Sequence, residues 1–347
     1  MTQTADLTRF TIKYLKAAIE SPENENVFYG LIRQKLDFDI RTLRGLKKIV
    51  ANEGGMSDYD YEIIIDPAFY TKENCIRLYA LGLSELIPYK FYEDQEFIDR
   101  AGVDEIPSDF IKKFVDIEEF TIRRGIRSIG ANAFESCKKL TRIFVEGDTL
   151  EDIGEYAFYD CVELKYVASS AALRRLGEAC FSNSGIVTYE FHENLLEIPR
   201  EAFRGCANLQ CITGVSFYIG DKAFEYCSFL NTFEATILGT GEKAFMECSS
   251  LKNVKLKADI IGRKSFKGCE LLEEVNFEKI PQEIGEDAFV DCTEINKFNI
   301  KGNPYELRCC VGFKELVQNI KLEYIEGKIH NTSLNFDRSV SKSLEML

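Results

Sequence analysis

Twelve cysteines and two histidines carry most of the reactive chemistry in this 347-residue chain. A cysteine nucleophile needs a base within hydrogen-bond reach. The imidazoles are His192 and His330, and the thiol nearest His192 in the pattern is Cys211. Those two stand four strand positions apart on neighbouring segments, roughly 13 Å, too far for a dyad. Zinc would call for clustered Cys or His, typically in C-x-x-C pairs, and the sequence has no such pair. "GTGEKAF" (239–245) looks like a phosphate loop but lacks the G-x-x-x-x-G-K-[ST] spacing. Carboxylates are abundant, and spacing singles none of them out. We therefore expect no catalytic residue, no metal and no cofactor, and read the chain as a non-enzyme.

What positions the cysteines is a repeat. A phenylalanine recurs at Phe134, Phe158, Phe181, Phe203, Phe224, Phe245, Phe266 and Phe289, with gaps of 24, 23, 22, 21, 21, 21 and 23 residues. Three residues after each come Cys137, Cys161, Ser184, Cys206, Cys227, Cys248, Cys269 and Cys292. The residue before each Phe is always small. Four residues before it stands Gly130, Gly154, Gly177, Pro199, Gly220, Gly241, Gly262 or Gly285, which marks a turn. A strand pattern follows each Cys, as in Leu140-x-x-Ile143-x-Val145 and Leu251-x-x-Val254-x-Leu256. One such coil cannot bury its own apolar face, but stacked coils bury each other's. The cysteines then read as small buried core residues beside a ladder of phenylalanines, with the strands pairing into a parallel sheet at about 4.8 Å spacing.

The unit I-G-x-x-A-F-x-x-C-x-x-L-x-x-I-x-L resembles the BspA-type leucine-rich repeat, also called the Treponema pallidum type. The match is strong over 129–300. "IPSDFIKKFVDIEEFTI" (106–122), "IPYKFYEDQEFID" (87–99) and "DPAFYTKENCIRLYALG" (66–82) resemble worn copies. The resemblance implies an α/β repeat solenoid, a curved stack with its parallel sheet on the concave face, that binds other proteins. Many family members are exported surface proteins.

We expect a helical N-terminal cap over 1–60, degenerate repeats over 61–128, leucine-rich repeats over 129–302, a short helical C-terminal cap over 303–330 and a flexible tail over 331–347. Leu7, Phe10, Tyr14 and Ala18 recur at helical spacing, as do Phe313, Leu316, Val317 and Ile320. "DIRTLRGLKKIVANEGG" reads either as a helix or as a first strand, because "LKKIVANEG" echoes "LTRIFVEGD".

Net charge is −14, which disfavours nucleic acid and anionic membrane as partners. Arg41, Arg44, Lys47 and Lys48 read as a solvated face. No apolar run approaches the roughly 20 residues of a membrane helix. The N-terminus has no basic segment followed by an apolar run, so we expect a cytoplasmic protein with reduced thiols. What remains is a surface of two outward strand rows. One runs Arg142, Tyr166, Thr188, Cys211, Thr232, Asn253, Glu274, Lys297. The other runs Phe144, Ala168, Glu190, Thr213, Glu234, Lys255, Asn276, Asn299. We expect a protein partner on Arg142, Phe144, Tyr166, Thr188, Glu190, Thr232, Glu234 and Lys255, since aromatics and Arg most often anchor interfaces. The function expected is a non-catalytic interaction scaffold; the alternative is an exported surface ligand-binding or adhesion protein.

Overall fold

Each coil of the repeat closes through two strands and a tight turn, and this geometry follows from where the small residues fall. The computed structural model describes the backbone of 46–51 and 61–65, and residues 70–80, 84, 87–110, 117–295, 297–301 and 310–312. The chain divides into two compact units, Met1–Val103 and Asp104–Leu347.

In the first unit β1 (Leu46–Ala51) and β2 (Tyr61–Ile65) form an antiparallel pair. Of the two readings of this stretch the strand holds, but as half of a hairpin, not as the opening strand of a parallel stack. Helices α1 (Lys72–Ala80) and α2 (Gln95–Ala101) follow. Asp94 caps α2 by accepting the Phe97 N–H at 3.1 Å, and Gly102 ends it with a left-handed φ of 66°. Phe97 sits buried among Tyr79, Phe91 and Tyr92. These helices fall within the segments read as worn coils at 66–82 and 87–99. Their apolar residues recur at helical spacing and pack as helices. The other helical cap segments and the tail lie outside the described residues.

The second unit is the stack. Its strands are β3 (Glu105–Ile106), β4 (Glu119–Ile122), β5 (Ser128–Ile129), β6 (Arg142–Val145), β7 (Asp152–Ile153) and β8 (Tyr166–Val167). They continue with β9 (Arg175–Leu176), β10 (Thr188–Glu190), β11 (Glu197–Ile198), β12 (Cys211–Ile219) and β13 (Thr232–Thr240). Next come β14 (Asn253–Leu256), β15 (Ile260–Ile261), β16 (Glu274–Phe277), β17 (Glu283–Ile284) and β18 (Lys297–Ile300). All pair in parallel. The segment at 106–122 carries strand positions at both ends, and β3 and β4 are joined to the strands of the next coil. Among the described residues of this unit no helix occurs. The repeat solenoid of parallel strands is as expected, and tight turns rather than helices connect its strands.

Those turns hold the coils together. The residues two before and two after each Phe have left-handed backbone, as at Asn132 (φ 54°) and Ser136 (φ 58°). This alternation aims alternate N–H groups at the next coil: Asn132 to the Glu155 carbonyl at 2.9 Å, Phe134 to Ala157 at 2.8 Å, Ser136 to Tyr159 at 2.8 Å. Inside the turn the rings stack, with neighbouring centroids 5.0–5.3 Å apart from Phe134 through Phe289. That separation matches the strand spacing and suits offset stacking.

The sheets change partners at one level of the stack. β3, β5, β7 and β9 form one sheet and β4, β6 and β8 another, while everything from β10 onward belongs to a third. On the short-strand side Gly177 donates to the Ile153 carbonyl at 2.7 Å and Gly220 to Ile198 at 2.8 Å. Pro199 holds the intervening place and has no N–H to give.

Candidate partner-binding face

The thiols come first, because they were the candidates for chemistry. Cys161, Cys206, Cys227, Cys248, Cys269 and Cys292 each lie 2.9–3.2 Å from the carbonyl oxygen of the preceding coil's Phe, and each donates its S–H there. That carbonyl already accepts the N–H of its own coil's Cys, as Phe224 does from Cys227 at 3.1 Å. The cysteine therefore fills a small apolar slot and satisfies a second lone pair at once. Ser184 stands in the slot of the third coil, its hydroxyl 3.4 Å from the Cys206 sulfur. Eleven described cysteines are free thiols. Burial holds Cys227, Cys248 and Cys269 well above the usual thiol range and pushes Cys206 up to about 11. Cys137 and Cys161 influence each other across neighbouring coils, so that Cys161 moves up and Cys137 down. Thiols held protonated in this way are poor nucleophiles at neutral pH. Cys137 and Cys292 are buried with the rest, as are all eight repeat phenylalanines.

Cys211 sits at the strand position paired with Thr188, apart from His192. The partner of His192 is instead Ser169, whose Oγ lies 3.2 Å from Nε2. Sequence reasoning missed this contact, because Ser169 lies in a loop outside the repeat pattern. Among the described residues no group of three Cys, His, Asp or Glu is placed to hold a metal ion.

The outward strand positions follow from the pleat. Ile143, Val167, Tyr189, Ile212, Phe233 and Val254 face the core, so their neighbours face out. Arg142 pairs in register with Glu119 and Tyr166, and its Nε lies 2.9 Å from a Glu119 carboxylate oxygen. Phe144 is 37% and Tyr166 47% exposed, with ring centroids 6.3 Å apart. The upstream strand offers only Glu119 and Thr121 beside them, so the preceding coil leaves both rings open. Thr188 and Glu190 follow, then Cys211 and Thr213, then Thr232 and Glu234, all in register. Lys255 departs from the expected row. It pairs with Thr236, not Glu234. β12 and β13 run on without a break between the two faces of the coil, and bulges absorb the extra residues.

That run-on leaves a recess. Its volume is about 500 Å³, and its walls include Glu190, Phe191, His192, Thr213, Gly214 and Glu234. Gly214 is required there, because a Cβ would stand 2.3 Å from the Phe217 ring.

A family model described as the BspA type leucine rich repeat region, in six copies, matches residues 104–231 and 217–335. The chain belongs to the BspA type leucine rich repeat family. Among solved structures, a leucine-rich repeat protein from Bacteroides ovatus is 27% identical. That match covers 53% of this chain and 55% of the other, with TM-score 0.44. A leucine rich cell surface protein from Faecalibacterium prausnitzii is 18% identical over 60% of this chain and 86% of its own, at TM-score 0.34. The T. pallidum leucine rich repeat protein is 24% identical over 49% of this chain and 72% of its own, at TM-score 0.33. This chain thus spans about half the length of the Bacteroides protein. No curated protein matches it. Among the described residues no helix is long and apolar enough to cross a membrane.

Proposed function

We propose that this chain is a non-catalytic scaffold that binds a protein partner on the outward face of its longer strands. The observation that carries this reading is the aromatic pair Phe144 and Tyr166, left open on a sheet face whose neighbours are polar. Solvent-facing strand positions are normally polar, and two adjacent large rings lower the free energy once a partner covers them. Arg142 lies beside the rings, and Thr188, Glu190, Thr232 and Glu234 continue the polar face along the following coils; Lys255 lies off that row. Catalysis is left out of the reading, because the ladder thiols are buried within the fold and, among the described residues, no third group orients the Ser169–His192 contact.

We further propose a reducing compartment. Six of the ladder thiols, from Cys161 to Cys292, donate their hydrogen to a carbonyl, and a disulfide would remove that hydrogen. A titration of the unfolded protein should find about 12 free thiols, whereas extensive disulfides would favour the exported alternative.

The face is tested by affinity capture with wild-type chain and with a Phe144→Ala/Tyr166→Ala variant. Partners recovered by the wild type should be depleted at least about tenfold on the variant, a loss equal to 1.4 kcal/mol. Equal recovery of the same partners on both would remove this face from consideration.

A further inference from the structure

Glu190 and Glu234 flank Thr213 in register, one on each neighbouring strand, so their backbones are about 10 Å apart across the sheet. Neither carboxylate forms an ion pair with any described residue, although the chain makes many such pairs elsewhere. Between them the floor is low, because Thr213 is small and Gly214 has no side chain. The recess of about 500 Å³ opens at this point. A cation seated over Thr213 would lie between two carboxylates that have no ion-pair partner among the described residues, in a protein of net charge −14.

Resting on the scaffold reading above, we propose that the partner is an extended basic peptide segment that places one Lys or Arg in this recess and an apolar side chain on Phe144 and Tyr166. The spacing follows from the stack. Phe144 and Thr213 occupy the same outward position three coils apart, about 14 Å at the strand repeat. An extended peptide advances about 3.4 Å per residue, so the apolar residue and the cation stand about four residues apart. A carboxylate on either side discriminates against acidic segments by like-charge repulsion.

The test uses an array of immobilised random 12-residue peptides probed with the full chain, followed by fluorescence anisotropy on the strongest binders. Binders should carry Lys or Arg about four positions from an aromatic or branched aliphatic residue. A Glu190→Gln/Glu234→Gln variant should bind them at least about tenfold more weakly, and the wild-type affinity should fall with added salt. Both glutamates are exposed, so the variant keeps the fold. Binders without a basic residue, undiminished binding by the glutamine variant, or no binder at all would overturn the proposal. If binding survives the glutamine variant but is lost in Phe144→Ala/Tyr166→Ala, the scaffold face stands and the cation recess falls. If neither variant weakens binding, both fall.

Discussion

Cys248 and Ser265 show how much depends on one polar hydrogen. Cys248 gives its hydrogen to the Phe224 carbonyl at 3.0 Å. Ser265 takes the place of the small residue before Phe266, fully buried, and among the described residues its hydroxyl has no partner. Removing a made bond costs about 1 kcal/mol net, while an unmade buried hydroxyl destabilises by about 1–3 kcal/mol. The two substitutions to alanine should therefore move in opposite directions. Cys248→Ala should lose about 1–2 kcal/mol and Ser265→Ala should gain about 1 kcal/mol in urea unfolding. A gain for the first or a loss for the second would contradict these assignments. Sequence alone ranked Cys and Ser as interchangeable small fillers. It had no means to tell which of them found a carbonyl, since that acceptor sits in the preceding coil, 24–27 residues back.

At the scale of the element, the turn glycines do two different jobs. Gly102 ends α2 at φ 66°, and a Cβ there would meet nothing within 4 Å. Gly177 has no left-handed backbone, yet its Cβ would lie 2.2 Å from the Glu155 nitrogen and 2.4 Å from the Gly154 carbonyl carbon. Backbone cannot step aside as a side chain can. Gly102→Ala should cost about 1 kcal/mol, the ordinary strain of left-handed alanine. Gly177→Ala must shift the two coils against each other and should cost about 2–3 kcal/mol, more than Gly102→Ala. Thermal melts of the two variants side by side check this; equal losses would mean the coils can separate cheaply. The sequence pattern marked Gly177 as a turn. Its true constraint is contact between coils, and Pro199 at the equivalent place shows that left-handed backbone is not what the position selects.

On the scale of the molecule, the stacked thiols make stability depend on pH. Their ordinary value is 9.0; burial raises Cys206 to about 11 and holds Cys227 and Cys269 well above the ordinary value, and the neighbouring Cys137 together with burial does the same for Cys161. In the unfolded chain these thiols lose their protons above pH 9, while in the folded chain they keep them. The unfolded state therefore binds fewer protons, and stability is complete below pH 9 and falls as pH rises from 9 toward 11 and beyond. Each such thiol weakens the fold by roughly 1.4 kcal/mol per pH unit in that window. Urea midpoints under reducing conditions should fall steeply between about pH 9 and pH 11; a level profile would place the thiols in water. The sequence by itself determined the stack, because a Phe, a Cys and a small turn residue recurring every 21–24 residues have one common burial solution. It also determined which strand residues face in, through the period of two. Only the tertiary structure decided what depends on distance between coils. That includes the left-handed turn residues, occupied by types as different as Tyr156, Glu201 and Lys222, which no composition rule marks. It includes the helices α1 and α2 where worn repeats were expected, and the two-residue slip that moves Lys255 away from Glu234. Local sequence sets the period of a coil, but register and partnership are settled by the neighbour it packs against.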